Sequence, residues 1–171
     1  MPETVIRDAC LADAEAMAPL YNHYVHRSIA TFETEPVAAV EMARRIQKVK
    51  ASSLPWRVAE TAGELSGYAY ATRWHDRHAY RFSVESTVYI DAGAVGQGLG
   101  ERLYLSLLSQ LRHQGLHTVM AVIALPNAAS VALHEKVGFR QSGGLRAVGR
   151  KFERWIDVGY WQCFLTDAPE P

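Results

Sequence analysis

Three groups of residues have types and spacings that suit chemistry. The first is Gly96-Gln97-Gly98-Leu99-Gly100, which follows a strand pattern ending at Ile90 and opens a helical one. A glycine-rich turn entering a helix points several backbone N–H groups and the positive end of the helix dipole at one spot, and such a spot binds phosphate. Spacing narrows the motif. A dinucleotide fingerprint needs glycine where Glu101 stands, and a P-loop needs lysine with serine or threonine after its last glycine. Alone, the glycines fit a tight turn as well as a binding loop. The second group is Glu85, a carboxylate in mid-strand, where glutamate is disfavoured without a reason; a paired sheet carboxylate is the structural alternative. The third is Asn127 with His134, seven residues later. That is about two helical turns, so both side chains share one face about 10 Å apart.

The elements that must position these groups follow from hydrophobic period. Thr4 to Arg7 reads as a short strand, and Met17, Leu20, Tyr21, Tyr24 and Val25 then repeat at helical spacing, with Pro19 expected to kink that helix or mark a late start. Pro36 to Lys50 suggests a second helix with Val40, Ala43 and Ile46 inward. Trp56 to Glu60, Leu65 to Thr72 and Phe82 to Ile90 form a meander. In its third strand Phe82, Val84, Ser86, Val88 and Ile90 share one face, and Ser83, Glu85, Thr87 and Tyr89 share the other. Gly98 to Gln114 is the clearest helix, striped by Leu99, Leu103, Leu107 and Leu111. Thr118 to Ala124 is a continuous apolar run, as expected of a strand buried on both faces, and Asn127 caps a short helix to Val137. Arg140 to Arg150 and Asp157 to Phe164 suit a final hairpin, with the segment between them ambiguous.

Bulk properties exclude some classes. Lysine plus arginine and aspartate plus glutamate balance at 18 each in 171 residues, so no global field attracts nucleic acid or an anionic membrane. No apolar stretch approaches the roughly 20 residues that span a bilayer. Two cysteines, Cys10 and Cys163, build no disulfide framework, and the first residues have no signal-peptide pattern; a soluble protein of the reducing cytoplasm is expected. His75-Asp76-Arg77-His78 lacks a third ligand at a recognised spacing, so no metal is expected. Trp56, Trp74, Trp155 and Trp161 have no accompanying basic stripe and read as core or pocket aromatics.

The glycine loop resembles the signature of the GNAT superfamily of N-acetyltransferases, Gln/Arg-x-x-Gly-x-Gly/Ala, here Val95-Gly96-Gln97-Gly98-Leu99-Gly100. Asn127-Ala128-Ala129-Ser130-Val131-Ala132-Leu133-His134-Glu135-Lys136-Val137-Gly138-Phe139 is similar to the superfamily's second coenzyme-binding helix. Val95 departs from the pattern and removes one polar side chain, leaving the backbone N–H groups to hold the anion. The resemblance implies an α/β (α+β) fold with a mixed, mostly antiparallel twisted sheet flanked by helices and splayed between its fourth and fifth strands. It also implies one domain over residues 1–165, a flexible tail over 166–171, and acetyl-CoA as co-substrate. The pyrophosphate would lie on Gly96, Gln97, Gly98, Leu99, Gly100 and Glu101, and the pantetheine arm along Val88, Tyr89 and Ile90, with Asn127 and Lys136 adding contacts.

Four further stretches resemble the phosphinothricin N-acetyltransferase group, which acetylates small amino-acid analogues: Thr31-Phe32-Glu33-Thr34-Glu35-Pro36, Ser83 to Tyr89, Val122 to Asn127, and Asp157 to Gln162. That resemblance implies Glu85 as general base or ammonium clamp, His134 as the acid serving the departing thiolate, and a substrate pocket of Phe32, Arg77, Tyr80 and Glu85. An unperturbed glutamate pKa near 4.3 is too low for efficient proton abstraction, so burial or a water relay would have to assist Glu85. His75 and Glu33 stand where the herbicide-acting members carry lysine and arginine, which favours a sulfone, a sulfoximine or an ordinary amino acid over a doubly anionic phosphinate. Glu153-Arg154 replaces a glycine pair. A homodimer is implied. The rival readings are acetylation of a polyamine, aminoglycoside or protein N-terminus, and a non-catalytic coenzyme A sensor.

Overall fold

A computed structural model describes residues 3–166. Of the expected tail only Thr166 falls within that range; residues 167–171 lie outside the described residues. In chain order the elements are β1 (Thr4–Asp8), α1 (Ala14–Arg27), α2 (Ala39–Ala51), β2 (Trp56–Thr61), β3 (Glu64–Arg73), β4 (Ser83–Ile90), α3 (Leu99–His113), β5 (Thr118–Leu125), α4 (Ala128–Lys136), β6 (Arg140–Lys151) and β7 (Arg154–Phe164). The strands form one sheet in the order β1-β2-β3-β4-β5-β7-β6. Every neighbouring pair is antiparallel except β4 with β5.

That parallel pair is short. It joins Ser83 to Thr118, Val84 to Val119 and Glu85 to Met120, while β4 continues along β3 to Ile90 and β5 along β7 to Leu125. The two strands therefore diverge just past Glu85, as expected. Val122 follows from this divergence. It is 39% exposed in an otherwise buried run, because the strand that would cover it has turned away.

A cluster on each side holds the sheet. On one, Leu99, Leu103, Tyr104, Leu107, Leu108 and Leu111 of α3 pack with Val84, Val119, Ala121 and Trp161; each fully buried leucine contributes about 1.5–3 kcal/mol. On the other, Met17, Tyr21 and Val25 of α1 and Met42, Ile46 and Val49 of α2 pack with Trp56, Val58, Tyr68 and Tyr89. Alternation along β4 divides its side chains between these clusters, Val84 toward α3 and Tyr89 toward α1 and α2, so Glu85 emerges on the Tyr89 side.

α1 begins five residues before Pro19 and carries it as an interior residue, so of the two expectations for Pro19 the late start does not hold; the helix is reached through a 3-10 turn at Leu11–Asp13. Pro36 lies outside α2, which starts at Ala39. The buried stripe of α2 is Met42, Ile46 and Val49, with Ala43 packed beside it; Ile46 and Ala43 face inward as expected, whereas Val40 is 79% exposed. The ambiguous segment is a tight hairpin between Lys151 and Arg154, with Phe152 at φ 51° and Glu153 at φ 61°.

Candidate active site

Divergence of β4 from β5 opens a cavity of about 260 Å³. Its walls are the α1–α2 connection from Ile29 to Phe32, the stretch Glu85 to Tyr89, Val122 to Ala124 of β5, Val158, and Asn127, Ser130 and His134 at α4. The structure thus brings together Glu85, His134, Asn127, Val88, Tyr89 and Phe32. Arg77 and Tyr80 are exposed on the β3–β4 connection, beside a 3-10 turn at His78–Tyr80, and neither is among the lining residues. Glu33 is also outside the lining, its carboxylate paired with Arg45 at 2.8 Å.

Glu85 stands half-buried at the mouth of the divergence. Burial raises its pKa above the ordinary carboxylate value, with His75 pulling weakly the other way. Water stabilises a carboxylate, and its partial removal makes Glu85 a better proton acceptor.

His134 is 4% exposed and has partners at both ring nitrogens. Nδ1 lies 2.6 Å from the Ser130 backbone carbonyl, an acceptor, so Nδ1 carries the proton. Nε2 of the neutral ring then accepts from the Tyr104 hydroxyl at 2.7 Å. The Tyr104 oxygen lies 2.6 Å from Ser86 Oγ, which also reaches the Met120 carbonyl at 3.3 Å. Burial lowers the His134 pKa, and the Ser130 bond only partly restores it. The imidazole is therefore neutral at rest, with its Nδ1–H on the side of cavity-lining Ser130 and its Nε2 toward the core. Tyr104, Ser86 and Ser130 were not singled out by sequence. Ser130 is one helical turn before His134, and a phenol inside the leucine stripe of α3 demands a polar partner.

The glycine loop follows β4. Tyr24 donates its hydroxyl to the Ile90 carbonyl, Asp91 accepts from the Gly93 N–H, and the chain enters α3 through Gly96 at φ 81° and Gly98 at φ 75°. A Cβ at either glycine meets no neighbouring atom within 4 Å, so backbone conformation, not space, requires glycine. The first helical bond runs from the Arg102 N–H to the Gly98 carbonyl, which leaves the N–H groups of Leu99, Gly100 and Glu101 without an acceptor inside the helix. At Gly100 a Cβ would come within 3.0 Å of Leu133, so α4 packs tightly against the start of α3. Lys136 at the end of α4 pairs with Glu101 at 2.6 Å, placing its ammonium beside the loop. Open N–H groups, a helix dipole and a nearby cation fit a pyrophosphate. Asn127 accepts the Ser130 N–H as the cap of α4, holding that helix against the cavity.

A family model for the acetyltransferase (GNAT) domain matches residues 6–159. The chain belongs to the GNAT family of acetyltransferases. It is 44% identical over 165 residues to phosphinothricin N-acetyltransferase of Streptomyces viridochromogenes, covering 96% of this chain and 90% of that one. It is 37% identical over 161 residues to the L-methionine sulfoximine/L-methionine sulfone acetyltransferase of Pseudomonas aeruginosa, with 94% of each chain covered. Among solved structures, a GNAT superfamily phosphinothricin acetyltransferase from Sinorhizobium meliloti in complex with acetyl-CoA superposes with a TM-score of 0.93 at 34% identity, covering 98% of this chain and 92% of that one.

Proposed function

We propose that this GNAT protein transfers the acetyl group of acetyl-CoA to the amino group of a small amino acid or amino-acid analogue, of the methionine sulfone, methionine sulfoximine or phosphinothricin type, in a ternary complex. The observation that carries this reading is that Glu85 and the Asn127–His134 helix line one cavity where β4 leaves β5. The named activities of the relatives support the same substrate class.

Bound acetyl-CoA supplies an acetyl group activated as a thioester. On this reading the backbone N–H groups from Gly96 to Glu101 hold the pyrophosphate, with Lys136 adding positive charge, and the unpaired edge of β4 from Val88 to Ile90 guides the arm toward Glu85. Glu85 takes a proton from the substrate ammonium, aided by its raised pKa. A backbone N–H near Val88 meets the developing oxyanion. His134, neutral at rest, has its one N–H on the Ser130 carbonyl, so it serves the departing sulfur only by turning Nδ1–H from that carbonyl to the sulfur; a thiolate of reference pKa about 8.5 then leaves as an anion stabilised by that bond. Phe32 closes the acceptor side. Arg77 and Tyr80 stand on the β3–β4 connection beside this mouth, Tyr80 packed on His75.

The Glu33–Arg45 pair leaves no free cation at position 33, which ranks sulfones, sulfoximines and ordinary amino acids ahead of a doubly anionic phosphinate. We further propose a single domain over residues 1–165 and a cytoplasmic homodimer that uses no metal. Support for the dimer comes from β6, exposed along almost its whole length at the sheet edge, and from Trp155, which is 67% exposed. The test is thiol release from acetyl-CoA with methionine sulfone, methionine sulfoximine, phosphinothricin and common amino acids side by side. Binding of acetyl-CoA with no release for any amine would overturn the reading in favour of a sensor.

A further inference from the structure

Lys151 ends β6 far from the glycine loop in sequence, yet it is 4% exposed. Its ammonium donates to two backbone carbonyls of the α1–α2 connection, Ser28 at 2.7 Å and Thr31 at 2.7 Å, and to that of Tyr24 in the last turn of α1 at 3.5 Å. An ammonium has three donors, so all are used within the fold and none is left for a substrate. Burying such a cation is expensive, and desolvation draws its pKa down. An arrangement this costly marks a connection whose shape matters. Ser28 caps the C-terminus of α1, where a cation suits the helix dipole, and Thr31 is fixed in turn by a 2.7 Å bond to Tyr21.

The clamped connection is one wall of the cavity, since Ile29, Ala30, Thr31 and Phe32 all line it. The same hairpin touches that wall a second time. A Cβ at Gly149 would fall 2.2 Å from the Phe32 ring, so β6 and Phe32 are in close contact two residues before the lysine. We propose that Lys151 is a positioning residue for the amine substrate, holding the Ile29–Phe32 wall at the distance from Glu85 that the acceptor needs. The proposal rests on the acetyltransferase reading above and assigns no contact between Lys151 and any reacting atom.

The experiment measures melting temperature, kcat, and separate KM values for amine and acetyl-CoA in wild type, Lys151→Met and Lys151→Arg, using whichever amine the wild type acetylates. Lys151→Met leaves two short-bonded carbonyls unpartnered; Lys151→Arg keeps the charge but cannot reproduce three converging donors. The expected result is an amine KM raised about tenfold or more, with the KM for acetyl-CoA within about twofold of wild type. If Lys151→Met does not fold, the same split in Lys151→Arg decides. A folded variant with a lowered melting temperature and an unchanged amine KM would show a purely structural lysine and overturn the proposal. Absence of wild-type turnover with every amine would instead overturn the functional reading and the proposal together.

Discussion

The Tyr104 hydroxyl lies 2.7 Å from Nε2 of His134, and both groups are buried. That contact joins α3 to α4 and gives Nε2 a donor, while the Ser130 carbonyl beside Nδ1 decides which nitrogen carries the proton. With Nδ1 on the Ser130 carbonyl, the ring enters any reaction as a neutral donor from one side only.

The Tyr104→Phe variant should therefore do more than lose a hydroxyl. It leaves Nε2 and Ser86 Oγ short of a partner in the core, at a cost of about 1–3 kcal/mol in chemical denaturation. The Ser130 carbonyl still faces Nδ1, so nitrogen NMR near pH 7 should show Nδ1 protonated and Nε2 bare in wild type and in Tyr104→Phe alike.

His134 also predicts a pH dependence of stability. Its folded pKa lies below its unfolded one, so the unfolded chain binds more protons as pH falls through the unfolded value near 6.5. Its contribution is therefore fully present above that value and is lost as pH drops from it toward the depressed folded pKa. Unfolding free energy measured across pH 5 to 8 should show this slope in wild type and a shallower one in His134→Gln. The rate, by contrast, should have no basic limb near pH 6.5, since a neutral donor needs no proton from solution.

Glu85 has the opposite sign. A carboxyl with a raised folded pKa binds more protons folded than unfolded, so its presence lowers stability as pH climbs from about 4.3 through the folded value. Glu85→Gln should melt higher than wild type at pH 7. It should also lower kcat by about 10²- to 10⁴-fold and remove the acid limb of the pH–rate profile, the behaviour of a lost general base. An unchanged rate would leave Glu85 as no more than a sheet carboxylate.

Two glycine substitutions separate conformation from space. Gly98→Ala has room for its methyl but sits at φ 75°, so it should cost about 1–2 kcal/mol and raise the KM for acetyl-CoA. Gly100→Ala has an ordinary helical position and a 3.0 Å approach to Leu133, so it should disturb α4 and show in kcat as well.

At the β6–β7 turn the reverse change should help. Phe152 and Glu153 both adopt positive φ, as a two-residue hairpin loop requires, and neither is glycine. Glu153→Gly should raise unfolding free energy by about 1 kcal/mol, read from denaturant midpoints.

What was legible in the sequence was local. The glycine loop, the capping role of Asn127, the alternation that isolates Glu85 and the leucine stripe of α3 are patterns within one element, and each stands where its period placed it. Even the splay was reachable, through the family resemblance. The miss in α2 was one of face: Val40 suits a stripe with Ala43 and Ile46, whereas the buried stripe runs Met42, Ile46, Val49 and leaves Val40 exposed. The connections least visible were those between distant segments. Tyr104 meets His134 across 30 residues and Lys151 meets Thr31 across 120, and no period in the chain announces either. Arg77 and Tyr80 were carried by resemblance alone, and their connection holds them outside the cavity.

The three residue pairs that join β4 to β5 make the sheet two plates, four strands and three strands wide, fastened at one end. Backbone pairing alone would let them scissor. α3 packs on β2, β3 and β4 of the wider plate, and its leucines share one buried cluster with Val119 and Trp161 of the narrower. The helix that presents the glycine loop is therefore seated on the wider plate, and an anion gripped at its first turn is held from that side of the seam, with the narrower plate reached through the shared core.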